Sequence, residues 1–253
     1  MKAVIGLDPG HGGSFSGTYS VNTTKDGLFE KDFALELSLM IEERLLKNGF
    51  GAVLSRRTDV NPGTVVERAA KMVANNVDFA LSVHFNGFGT ESANGTEVFV
   101  PYGEHLAGIE TGFHEVLTKY FRERKPFARS NNYYDRNATF NKKLNIATRK
   151  FDAVSSNMDY FGFVRNCWQA GISADLLEIC FLTNKADFDS YIKNKEAIAD
   201  GLAKSIVEAY GEKYVAMNAP EPEKPPIVLE PVVPEEKPKK VIKKPKTKTD
   251  VLN

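Results

Sequence analysis

The sequence predicts an α/β fold. One mixed, mostly parallel sheet should carry helices on both faces over residues 1–217, followed by a disordered tail over residues 218–253. Three observations predict it. Short, near-continuous apolar runs recur at residues 3–7, 51–54, 79–83 and 176–182, the pattern of strands buried on both faces. Stretches of helical period lie between them, as βαβ units require. From Asn218 the composition changes: eight of the twelve prolines lie beyond that point, and apolar content is too low for a second core.

The first run, residues 3–7, stops at Asp8, where Pro9, Gly10, Gly12 and Gly13 forbid both helix and further strand. Residues 14–27 are polar and read as a loop. Phe33, Leu37, Met40, Ile41 and Leu45 then mark one face of a helix that Gly49 ends. Residues 51–54 form the second strand. Thr64 and Glu67 make a capping box before a second helix, whose apolar face is read as Val66, Ala69, Ala70, Val73, Ala74 and Val77. Residues 79–85 are a third strand and 95–100 a fourth. A helix from about Glu104 buries Leu106, Ile109, Phe113, Leu117, Tyr120 and Phe121. Residues 122–141 are basic, then aromatic and rich in asparagine. They read as an exposed loop, either an ordinary one or one that touches a sugar-containing ligand. A helix over 145–154, a short strand over 161–165, a central strand over 174–182 and a long helix over 187–210 complete the chain.

At 42% hydrophobic and 26% charged residues, the composition is that of a globular protein, and no run approaches the length of a membrane span. Lys plus Arg equals Asp plus Glu at 33 each, so whole-chain charge points to no nucleic-acid partner. Two cysteines, Cys167 and Cys180, exclude a disulfide scaffold and a cysteine-rich zinc site, and read as buried thiols. The run after Lys2 is too short for a signal-peptide core, so synthesis in the cytoplasm is expected.

Chemistry gathers at the ends of these elements. His11 sits among the glycines after the first strand, and His84 ends the third. Parallel α/β sheets place ligands outside such strand ends. Glu30 opens the first helix, where a carboxylate also sits comfortably in solvent. Two imidazoles and one carboxylate make a three-ligand catalytic zinc set with one position open for water. Glu178 lies inside an apolar strand, where a carboxylate is rare unless it is paired or faces a metal, and it is the candidate general base. His105 and His114 are nine residues apart, hence on different helix faces, and read as surface histidines.

At these residues the chain resembles the zinc-dependent N-acetylmuramoyl-L-alanine amidases of the type 3 class, over about residues 2–210. Ile5-Gly-Leu-Asp-Pro-Gly-His-Gly-Gly13 is similar to the opening motif with the first zinc histidine, and Glu30-Lys-Asp32 to the segment with the zinc glutamate. Arg56-Arg-Thr-Asp59, Glu67-Arg68, Ala74-Asn75 and Leu81-Ser-Val-His-Phe-Asn86 follow in the family's order, the last with the second zinc histidine. Leu176-Leu-Glu-Ile-Cys-Phe-Leu-Thr-Asn184 looks like the motif with the catalytic glutamate. The resemblance implies a zinc hydrolase of peptidoglycan. Its cut is the amide between N-acetylmuramic acid and L-alanine of the stem peptide. The alternatives are a zinc peptidase acting within the stem and a non-catalytic wall-binding relative. The family's arginine near the catalytic glutamate, on a Val-Leu-Arg strand, has its counterpart in Arg165 of Phe163-Val-Arg165. The loop after Gly13 and residues 122–159 depart from the pattern and leave fine specificity open. Lacking a leader, the chain is expected to act as a phage endolysin reaching the wall through a membrane pore. Seven lysines in 237–248 would meet anionic wall polymers.

Overall fold

The computed structural model describes residues 2–21, 28–100, 107–124, 144–145, 150–151 and 161–217. The expectations for residues 129–134, for His105 and for the tail therefore lie outside the described residues.

Five strands form the main sheet: β1 (Val4–Pro9), β2 (Gly51–Leu54), β3 (Phe79–Asn86), β4 (Glu97–Phe99) and β7 (Ser173–Phe181), in the order β2-β1-β3-β7-β4. All pairings are parallel except β4 on β7, so the sheet is mixed and mostly parallel, as predicted. Helices α1 (Glu30–Lys47), α3 (Ala107–Leu117) and α5 (Lys185–Ala209) cover one face. Helices α2 (Val65–Ala74) and α4 (Gly162–Gln169) cover the other.

Strand alternation assigns side chains to these two cores. Ile5, Leu7, Phe79, Leu81, Val83, Leu177 and Ile179 meet Phe33, Leu37, Ile41, Phe113 and Ile198 in the larger one. The residues between them, Ala80 and Ala174, meet Ala69, Met72, Phe163 and Cys167 in the smaller. Asp8, Ser82, His84 and Glu178 share that second parity, at the strands' C-terminal edge. Cys167 and Cys180 are buried free thiols.

Three local expectations need correction. The buried side of α2 is Ala69 and Met72, flanked by half-buried Val65 and Arg68, while Val66 and Val73 are exposed. Arg68 reaches back to Asp8 and Met72 meets Gly6, which turns the helix away from the face with the most valines. Residues 161–165 are not a strand but lead into α4. Phe163, Val164, Cys167 and Trp168 bury together at helical spacing, a pattern visible only in a window reaching Gln169. Within 145–154, the described residues are strands β5 (Leu144–Asn145) and β6 (Lys150–Phe151), paired antiparallel, where a helix was expected. Asn145, Ile146, Thr148 and Val154 are weaker helix formers than the straight-chain residues.

Candidate metal centre and active site

His11, Glu30 and His84 converge. Glu30 Oε1 lies 2.9 Å from His84 Nδ1 and 3.1 Å from His11 Nε2, and the imidazole centres are 5.0 Å apart at 75°. One donor atom from each residue fits within 4.8 Å of the others, so the three form a set that could hold a metal ion. Each comes from a different element: the loop after β1, the first turn of α1, and the end of β3.

Glu30 is not the solvated helix-start carboxylate that local reading allows. It is 4% exposed. Its Oε2 accepts from the Thr18 amide at 2.9 Å and its Oε1 from the Phe85 amide at 3.1 Å. Burial alone would raise its pKa, but hydrogen bonds and charge from His11 and His84 outweigh burial and hold the carboxyl well below the usual range. An anionic oxygen between two imidazoles is the donor chemistry of a zinc-type site.

Two glycines make room for this closeness. A Cβ at Gly10 would lie 2.5 Å from the His84 ring, and one at Gly17, where φ is +70°, would lie 2.4 Å from Glu30 Oε2. Any side chain at either position displaces one of the three converging side chains.

Beneath the ligands lies a polar scaffold. Asp8 is fully buried and accepts from Ser55 Oγ at 2.7 Å, Ser82 Oγ at 2.8 Å and Arg68 Nη1 at 2.9 Å, tying the ends of β1, β2 and β3 to α2. Arg56, 3% exposed, donates among the described residues to backbone carbonyls alone. Nε reaches Pro9 at 3.3 Å and His11 at 2.9 Å. Nη2 reaches Gly10 at 2.8 Å and Lys31 at 2.7 Å, and Nη1 reaches Thr58 at 3.2 Å. One guanidinium thus joins the His11 loop to the residue after Glu30. His11 itself has φ of +60°, a left-handed conformation that a non-glycine residue adopts only at a cost. The bond to its carbonyl helps to hold it there. Burial lowers the Arg56 pKa, with Asp59, Asp8 and Asp32 opposing. In the sequence Arg56 stands out only as an arginine directly after a strand; its closeness to the glycine loop is a tertiary contact.

Glu178 is half-buried, less than its apolar neighbours suggested, because it lies where β7 opens to the C-terminal edge. It pairs in register with His84 on one side and with Glu97 of β4 on the other. Just beyond the His84 pair the register shifts, β7 advancing three residues (Glu178 to Phe181) against two in β3 (His84 to Asn86), so the extra residue lies on β7, and such irregularities are common beside functional sites. Glu97 was missed as a site residue. It is buried, accepts from Asn86 Nδ2 at 2.7 Å and pairs with Arg124 at 3.0 Å. Arg165 stands in the first turn of α4, beside Val164, which packs with Phe99 and Leu176. His114, on α3, is not among the three converging residues and lies 3.9 Å from Glu123.

Comparison with known proteins bears on the fold and the family. The family model described as N-acetylmuramoyl-L-alanine amidase matches residues 5–209. YqiI of Bacillus subtilis (strain 168) is 33% identical over 131 residues, 51% of this chain and 60% of that protein. The amidase AmiC of Neisseria meningitidis serogroup B is 35% identical over 99 residues, 39% of this chain and 23% of that one. The chain thus spans less than two thirds of either curated relative. Among solved structures, the catalytic domain of the amidase CwlV from Bacillus (Paenibacillus) polymyxa var. colistinus superposes with a TM-score of 0.58. It is 24% identical, over 84% of this chain and 100% of that one. The amidase AmiC2 of Nostoc punctiforme gives 0.62 at 19% identity, over 84% and 99%. These two show the shared fold. With the family model spanning the sheet, its helices and all four site positions, the chain belongs to the N-acetylmuramoyl-L-alanine amidase family.

Proposed function

We propose that this chain is a zinc-dependent peptidoglycan hydrolase that cleaves the amide joining N-acetylmuramic acid to L-alanine of the stem peptide. The observation that carries the reading is the convergence of His11, Glu30 and His84, with Glu178 in register beside His84. Family membership supports the reaction class. Two nitrogens and one carboxylate oxygen suit zinc, with one position left for water or substrate. Zinc, when bound, supplies a Lewis acid that lowers the pKa of water and polarises a carbonyl.

The protein's own groups do the rest. Glu178, about 4.8 Å along the sheet from the His84 strand, is the base. It takes a proton from the attacking water and passes it to the departing L-alanine nitrogen, so water is divided between a lactyl carboxylate and a free amine. Arg56 and Asp8 hold the ligand-bearing segments. Arg165 belongs to the same proposal as a substrate contact from the α4 side. Phe15, Tyr19 and Phe88 are exposed on the loops that carry His11, precede Glu30 and follow His84. They offer flat apolar faces for sugar rings.

The test is digestion of purified peptidoglycan with and without chelator, with products identified by mass. Glycans ending in a free lactyl carboxylate, lost on chelation and restored by zinc, are expected. Cuts confined to the stem peptide would establish the peptidase alternative instead. Action as an endolysin is part of the same proposal, tested by lysis of cells whose membrane has been permeabilised from within.

A further inference from the structure

The geometry points to Arg124 as a second recognition point, for a carboxylate on the substrate's peptide arm. This inference rests on the amidase reading and adds to it a substrate feature.

Arg124 stands at the ligand edge of the sheet. Glu97, Glu178 and His84 lie in one row across β4, β7 and β3, on the same sheet face. Residues 122–124 run alongside Thr96, whose amide donates to the Arg122 carbonyl at 2.8 Å, so Arg124 falls next to Glu97. Its Nε donates to Glu97 Oε1 at 3.0 Å, and its guanidinium carbon sits 4.8 Å from the centre of the Phe181 ring. Phe181 is the last residue of β7, three beyond Glu178, and pairs with Asn86. Asn86 in turn donates to the other oxygen of Glu97. The guanidinium is therefore held by one edge and one face. Among the described residues, no acceptor meets its two Nη groups, and the side chain is 31% exposed. An ion pair serving only the fold has no need of an open fork at the edge where the reaction is placed.

Distance selects the ligand. Strands are about 4.8 Å apart, so β4 lies about 10 Å from the His84 strand. In the stem peptide the residue after L-alanine is a glutamate joined through its side chain, which leaves its α-carboxylate free unless amidated. That carboxylate is two residues from the attacked carbonyl, about 7 Å in an extended chain. With the carbonyl between the metal ligands and Glu178, the carboxylate falls at the level of Glu97 and Arg124. A planar guanidinium accepts a carboxylate on two parallel bonds. The nearby carboxylates of Glu97 and Glu178 oppose a third. Glu97 is already paired with Arg124 itself, so among the described residues the open Nη fork offers a carboxylate a favourable contact there.

The experiment compares two probes on the full chain: the tripeptide L-Ala–γ-D-Glu–L-Lys and the same peptide with its glutamate α-carboxylate amidated. Both resemble the product's peptide arm and need no turnover. Calorimetry should show the acid bound about 10–100-fold more tightly than the amide by the unmodified protein, the range of a charge-assisted bond. Arg124→Gln should abolish that preference, and Arg124→Lys, which still pairs Glu97, should keep part of it. In hydrolysis of the corresponding muropeptides, the loss in Arg124→Gln should appear in KM for the acid substrate, with bound zinc undiminished. Equal binding of acid and amide by the unmodified protein overturns the inference without any variant. So does a preference that survives in a folded Arg124→Gln protein. Discrimination without any amide cleavage would instead leave Arg124's role standing and refute the amidase reading.

Discussion

Replacing Arg56 by methionine keeps the side chain's length and packing but removes every donor from a group that binds five backbone carbonyls. Four of those carbonyls, those of Pro9, Gly10, His11 and Lys31, belong to the segments that carry His11 and Glu30, the first two proposed metal ligands. A hydrogen bond from a charged donor contributes about 1.5–3 kcal/mol net, and bonds sharing one guanidinium do not add. The carbonyls left behind can recover part of the loss through water. A total of about 3–5 kcal/mol is the reasonable expectation, in the range for breaking a buried charged network. For a domain of this size that lowers the melting temperature by roughly 6–20 °C. With the clamp gone, His11 is also free to leave its left-handed conformation. Zinc affinity, measured by competition with a chromogenic chelator, should fall about 10–100-fold, as for other residues that orient ligands without touching metal. Arg56→Lys should lie between, since an ammonium has three donors and no planar fork. A methionine variant that melts within about a degree of the parent and binds zinc within about twofold would refute the clamp.

Four further outcomes follow from the site, the core and the tail. His84→Ala should abolish bound zinc and activity together while the fold survives, and metal analysis showing one zinc retained would reassign the ligand. Glu178→Gln should keep zinc and lose about 10²–10⁴-fold in rate, and near-normal turnover in the zinc-bound variant would remove it as the base. Asp175 is fully buried in the α3-facing core opposite Glu110, with neither oxygen hydrogen-bonded among the described residues. Burial first, and Glu110 second, push its carboxyl well above the ordinary value. Its folded-state pKa is raised, so it is neutral in both states at low pH, and the native state is increasingly penalised as pH rises above the unfolded value. Asp175→Asn should therefore raise the melting temperature at pH 7, with a gain that shrinks toward pH 4, and a pH-independent difference would contradict this. Removing residues 218–253 should leave hydrolysis of small muropeptides unchanged and weaken sedimentation with intact walls at low salt, an effect that fades as salt screens the lysines. Equal sedimentation of both forms at every salt would make the tail a mere spacer.

Helix α2 was given its valine-rich face because periodicity weighs residues by apolarity alone. In the folded protein Arg68 must meet Asp8, sixty residues away, and that contact sets the rotation. The start of α4 was read as extended because Phe161 to Arg165 is too short a window to separate the two periods.

The sequence alone determined the five strands of the main sheet, helices α1, α2, α3 and α5, the α/β class, and the residue types His11, Glu30, His84 and Glu178 at or near element ends. Those features follow from local patterning: apolar runs, helical spacing, glycine and proline breaks, and a carboxylate inside an apolar strand. Only the tertiary structure decided that Glu30 is buried between both imidazoles and that Arg56 clamps the His11 loop to α1. The same holds for Glu97, which carries Arg124 to the edge beside Glu178. Each of these joins residues between nineteen and eighty-one positions apart. The energy of such a contact depends on what the rest of the chain has already excluded from water, which no local window contains.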